Sequence, residues 1–107
     1  MTPMLSPDQY ARARRFLLES ARPLEAARFR YRFENGDAED VYAELTRFQN
    51  PDGGFGRALE ADIRAEASSV VATTAALQLL RMLHAPAQHP LVAGADECLQ
   101  AAQRIVQ

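Results

Sequence analysis

The stretch Gln49-Asn50-Pro51-Asp52-Gly53-Gly54-Phe55-Gly56 interrupts regular structure more firmly than any other part of this chain. Proline lacks the N–H that a helix interior requires, and glycines favour turns and close backbone approach. An amphipathic helix pattern runs up to it. Asp37 and Asp40 suit an N-cap and a first turn, and Ala38, Val41, Leu45 and Phe48 form an apolar stripe that Tyr42 and Gln49 widen. Residues 50–67 then show no usable period. A loop of that length in a small domain tends to be functional or held by its own packing.

Four further helices are expected on either side. Ser6-Pro7-Asp8-Gln9 reads as a capping box with proline at the first helical position, and Tyr10, Ala13, Leu17 and Ala21 mark one face, giving a helix over 7–21. Pro23 ends it and opens a second over 23–33. There Arg28-Phe29-Arg30-Tyr31-Arg32-Phe33 alternates like a strand, but a lone strand has no partner, so a helix is preferred. In the helix expected over 68–84, Val70 to Leu80 have apolar or small residues on every face, the pattern of a helix buried all round, before it frays into Arg81-Met82-Leu83-His84. Residues 90–106 open on Pro90 and carry a stripe of Val92, Ala95, Leu99, Ala102 and Val106. The expected fold is all-α: one domain over 1–107, with helices near 7–21, 23–33, 38–49, 68–84 and 90–106.

Composition narrows the class. The longest uncharged run, Ala67 to Leu80, falls short of the ~20 apolar residues that cross a bilayer, so no membrane span is expected. The first residues have neither the basic nor the apolar region of a secretory signal. Cys98 is the only cysteine, which suits a reducing cytoplasm. All twelve basic residues are Arg, a bias expected of a GC-rich bacterial genome. Residues 1–33 carry seven Arg against three acids and residues 34–66 three against nine, a polarity best satisfied within the fold.

Leu45, Gln49, Gly53 and Phe55 have the spacing of the glutamine–aromatic repeat of the terpenoid-cyclase and protein-prenyltransferase superfamily, which this region resembles. Asp52-Gly53-Gly54-Phe55-Gly56 is most similar to the prenyltransferase form, although Glu44 stands where the repeat usually has an aromatic. The resemblance implies part of an α/α toroid of alternating inner and outer helices, with 68–84 as an inner helix. A glutamine amide both donates and accepts, so the motif reads as a brace between helices. This chain supplies only part of such a ring. An open arc exposes the flank of the 68–84 helix, and homo-oligomers through that flank are expected.

Chemistry is less legible. Asp37-Ala38-Glu39-Asp40 departs from the cyclases' acid motif and sits where helix-capping acids belong. His84, His89, Asp96 and Cys98 lack the spacing of a closed zinc site, so neither metal nor cofactor is assigned. Among the loop acids Asp52, Glu60, Asp62 and Glu66, the pair Glu60 and Asp62 is the catalytic candidate, since glycosidases work with two carboxylates. Salt bridges to Arg57 and Arg64 are the blander alternative. Arg28, Arg30 and Arg32 between aromatics would suit single-stranded nucleic acid, but the acidic balance (pI near 5.6) argues against that partner. The expectation is a prenyltransferase- or cyclase-like module that oligomerises or binds an apolar small molecule and is not competent as an enzyme alone. The enzymatic alternative is a longer or assembled toroid acting on an isoprenoid or a sugar.

Overall fold

A computed structural model describes residues 6–59 and 66–106, with side chains to Arg104. The fold is all-α. Among the described residues five helices occur and no sheet: α1 (Pro7–Ser20), α2 (Pro23–Phe33), α3 (Ala38–Thr46), α4 (Val70–Met82) and α5 (Pro90–Val106). The chain forms two compact units, Met1–Glu44 and Leu45–Gln107, whose boundary falls in the last turn of α3.

In the first unit α1 begins on the capping box, with the Gln9 N–H donating to Ser6 Oγ and the Ser6 N–H to Gln9 Oε1. No residue of α1 is buried, and Phe16 is 65% exposed. Two polar contacts help to tie it: Tyr10 Oη donates to Glu34, and Arg14 Nε pairs with the same carboxylate oxygen at 2.6 Å. Extended backbone at Ala21 and Arg22 leads into α2, where Pro23 takes the first turn. Helical winding turns the alternating run into two faces. Phe29 and Phe33 stack with centroids 5.4 Å apart, and Phe29 also meets Tyr10 at 5.9 Å. Among the described residues of this unit, the buried ones are Leu24, Ala26, Ala27 and Phe29 of α2, with Val41 and Tyr42 of α3.

The sequence's charge polarity vanishes at this level. Residues 1–44 hold seven Arg and eight acids, and residues 45–107 five Arg and six acids. The acids of 34–44 share a unit with the arginines of 12–32.

In the second unit α4 and α5 pack together around Leu45, Phe55, Leu80 and Thr73, all fully buried. Ser69 caps α4 by accepting from the Ala72 N–H, and His89 Nδ1 accepts from the Leu91 N–H at the start of α5. Two expectations need correction. The helix after Ala38 stops at Thr46, three residues short: the Phe48 and Gln49 N–H groups bond three residues back, to the Leu45 and Thr46 carbonyls, and from that turn Gln49 enters its bridge with Phe55. α4 is also not covered all round. Ala72, Thr73, Ala76, Leu79 and Leu80 are buried, while Val70, Val71, Thr74, Gln78, Arg81 and Met82 are exposed. Being uncharged does not cover a helix face. Neighbours do, and here they lie on one side.

Candidate functional site

The glycine-rich stretch forms a short hairpin. The Asn50 carbonyl accepts from the Gly53 N–H at 2.9 Å across Pro51 and Asp52, and the Asn50 N–H donates to the Gly54 carbonyl at 2.8 Å. Gln49 and Phe55 face each other as an isolated antiparallel bridge, closed by the Gly56 N–H on the Phe48 carbonyl. Proline pre-sets the turn, and Gly53, with φ +87°, reverses the chain as only glycine does without strain.

Other elements seat on this hairpin through backbone. The Phe55 N–H donates to Thr73 Oγ1 at 2.9 Å, and its carbonyl accepts from the Ser69 N–H at 3.0 Å, so the start of α4 satisfies both backbone groups of a buried residue. From Gln49, Nε2 donates to the Gly53 carbonyl at 3.0 Å and, at a longer 3.4 Å, to the Leu91 carbonyl of α5. A Cβ on Gly53 would overlap the Gly94 carbonyl, and one on Gly94 would lie 2.7 Å from Gln49 Nε2. The hairpin and α5 therefore meet at backbone distance.

Beside the turn lies a cleft of about 520 Å³, lined among others by Asp52, Ser68, Val70, Cys98, Leu99 and Ala102. Asp52 Oδ1 accepts from Ser68 Oγ at 2.7 Å and from the Gly54 N–H at 2.9 Å; these bonds, the hydroxyl first, hold its carboxyl below the usual carboxylate range. Ser68 Oγ in turn accepts from Asn50 Nδ2 at 3.0 Å. Burial, reinforced by the Asp52 charge, pushes the Cys98 thiol up, so it stays protonated at neutral pH. Through these bonds the Asp52 carboxylate ties the Gly54 backbone to Ser68, at the approach to α4.

The same network reaches the long loop. Asn50 Nδ2 donates to the Glu66 carbonyl, Asn50 Oδ1 accepts from Arg57 Nε at 2.8 Å, and the Arg57 N–H donates to the Glu66 carbonyl at 3.2 Å. Residues 57 and 66 are thereby held together. The candidate acids Glu60 and Asp62, and with them Arg64, lie outside the described residues. No group of three or more His, Cys, Asp or Glu among the described residues could hold a metal ion, so His84, His89, Asp96 and Cys98 do not converge. Arg28, Arg30 and Arg32 are all exposed, but helical winding sets Arg30 about 200° from Arg28. They form no single basic row.

A second cleft of about 360 Å³ in the first unit is lined by Leu18, Ala26, Arg30, Asp40 and Glu44 among others. No helix among the described residues is long and apolar enough to cross a membrane. Comparison with known proteins finds no match: no family model, curated protein or solved structure matches this chain.

Gly94, Thr73 and Ser68 are the residues of this site that motif spacing does not reveal. One signal was present. A glycine in mid-helix costs about 1 kcal/mol relative to alanine, so Gly94 inside an otherwise regular α5 requires a packing reason.

Proposed function

We propose that this chain is part of an α/α toroid of the prenyltransferase and terpenoid-cyclase kind, and that it acts by self-association rather than by running a reaction alone. The observation that carries this reading is the uncovered flank of α4, where Val70 and Val71 are each 58% exposed and Met82 is 56% exposed. Val70 and Val71 open this face and Met82 closes it, with Thr74, Gln78 and Arg81 between them, and exposed apolar side chains at both ends suit an interaction surface. The spacing of Leu45, Gln49, Gly53 and Phe55 supports the toroid, with the hairpin bracing α4 as an inner helix. The single cysteine, half-buried and protonated, suits a reducing cytoplasm.

The test is sedimentation or light scattering over a wide concentration range. A mass that rises with concentration is expected, and a monomer at every concentration overturns the reading. A second reading, an apolar small molecule in the cleft beside the turn, is favoured by its wall of Val70, Leu99 and Ala102. A short isoprenoid alcohol should then raise the melting midpoint of the wild type and not of Ala102→Trp. Equal shifts in both proteins would remove this reading.

A further inference from the structure

The cleft of about 360 Å³ in the first unit takes its walls from α1, α2 and α3. From α2 come Ala26 and Ala27, both buried, and Arg30, one turn further on and exposed. From α3 come Asp40, Ala43 and Glu44, which share one helix face at spacings of three and four. Alanine side chains are too short to fill the space between helices. The cleft therefore has an apolar lining, with a cation on its α2 side and acids on its α3 side.

The two charges do not satisfy each other. Arg30 and Asp40 line the same cleft, yet among the described residues neither side chain belongs to an ion pair or a side-chain hydrogen bond. Outside the cleft Arg30 acts on Glu34 through charge, and that carboxylate is already bonded to Arg14 and Tyr10. A guanidinium offers a planar fork that takes a carboxylate through two parallel N–H groups, and a carboxylate in turn takes an ammonium. A dianion entering here would meet Asp40 and Glu44, and a dication would meet Arg30. The complementary ligand carries one charge of each sign on a small apolar frame. The volume lies at the lower end of the range for small-molecule clefts, about 300 to 1,000 Å³, and so selects a small one.

We infer that this cleft binds a small zwitterion, an α-amino acid or a short peptide, with its carboxylate on Arg30 and its ammonium on Asp40. The alanines carry the apolar frame, and the charge of Glu44 adds to the pull on the ammonium. Both partner side chains are exposed, so binding is weak, roughly millimolar, and falls as salt is added. The site is independent of self-association through α4.

The probe is L-alanyl-L-alanine, titrated into the full chain and followed by backbone amide chemical shifts. L-Alanine is the second arm, and whichever of the two binds more tightly identifies a peptide or a free amino acid as the ligand. Saturable shifts are expected at residues 26, 27, 30, 40, 43 and 44. N-acetylation removes the cation of the dipeptide and C-terminal amidation its anion, and each should weaken binding about tenfold. Arg30→Gln and Asp40→Asn should each weaken the uncapped dipeptide to a similar degree. Arg30→Gln should add nothing to the loss on amidation, and Asp40→Asn nothing to the loss on acetylation, which assigns the two ends of the ligand. Far-UV circular dichroism and melting confirm that both variants are folded. The inference is overturned by the absence of saturable shifts up to about 20 mM of either probe, by capped forms that bind as well as the free one, or by losses that simply add.

Discussion

Each of the two compact units is held together internally by a different kind of contact. In residues 1–44 side chains carry the attachment: α1 has no buried residue and is tied by Tyr10 and Arg14 to the carboxylate of Glu34. In residues 45–107 backbone carries it: Gly53 lies against Gly94, and Phe55 gives both of its backbone groups to the start of α4. Long side chains at a surface can shift and re-pair at little cost. Two backbones at contact distance cannot admit one more carbon. The second unit should be intolerant at a few positions and the first tolerant at most.

The sharpest way to break this contrast is Gly53→Ala. The new methyl meets the Gly94 carbonyl at a residue whose φ is +87°. Overpacking and left-handed strain together should cost about 3 kcal/mol in denaturant unfolding. A loss no larger than that of a surface substitution would refute the backbone contact. Thr73→Val keeps the volume and strips the Phe55 N–H of its acceptor, for an expected cost of about 2 kcal/mol. Gln49→Ala removes a half-buried donor with one good and one long bond, and should cost about 1 kcal/mol while leaving the hairpin in place.

The smallest effect is expected at Glu34→Gln, in the first unit. The Arg14 hydrogen bond, opposed by desolvation and helped by Tyr10, holds the Glu34 carboxyl below its ordinary range. A depressed value in the fold means that the tie is complete at neutral pH and is lost as pH falls through the carboxylate range. Amide protection in α1, corrected for intrinsic exchange, should therefore fall first on acidification, and Glu34→Gln should abolish that dependence. Asp52 is depressed in the same sense, so global melting would mix the two; α1 amides separate them. Acid-independent protection in wild-type α1 would show that Glu34 does not hold it.

The helices were legible in the sequence because their starts are written in local chemistry. Ser6-Pro7-Asp8-Gln9, Pro23, Asp37, Ser69 and Pro90 each mark where one begins or is capped. The run from Arg28 to Phe33 shows the limit of period alone, since its alternation is a strand's and its structure a helix's. Two things could not be read. The end of α3 depends on the hairpin claiming Phe48 and Gln49, a pairing settled by Phe55 several residues later. The outward face of α4 depends on which neighbours arrive, and an uncharged sequence does not say. At the site, spacing identified Gln49 and the glycines. Their counterparts Gly94 and Thr73 lie some 20 to 40 residues away, beyond the reach of any local pattern.

The meeting of Gly53 and Gly94 also sets a rule for variation in chains built this way. Gly53 cannot enlarge alone, because a Cβ there would run into the Gly94 backbone, whereas a Cβ on Gly94 would first meet the side-chain amide of Gln49 at 2.7 Å and the Gly53 Cα at 3.2 Å. A change at Gly53 therefore requires a compensating shift of α5, and a change at Gly94 requires Gln49 to give way, so variation at Gly94 should be coupled to variation at both Gln49 and Gly53. Such a coupled pair, added to the short motif around Gln49, gives a two-part signature by which distant members of the same architecture can be told from chance glycine-rich turns.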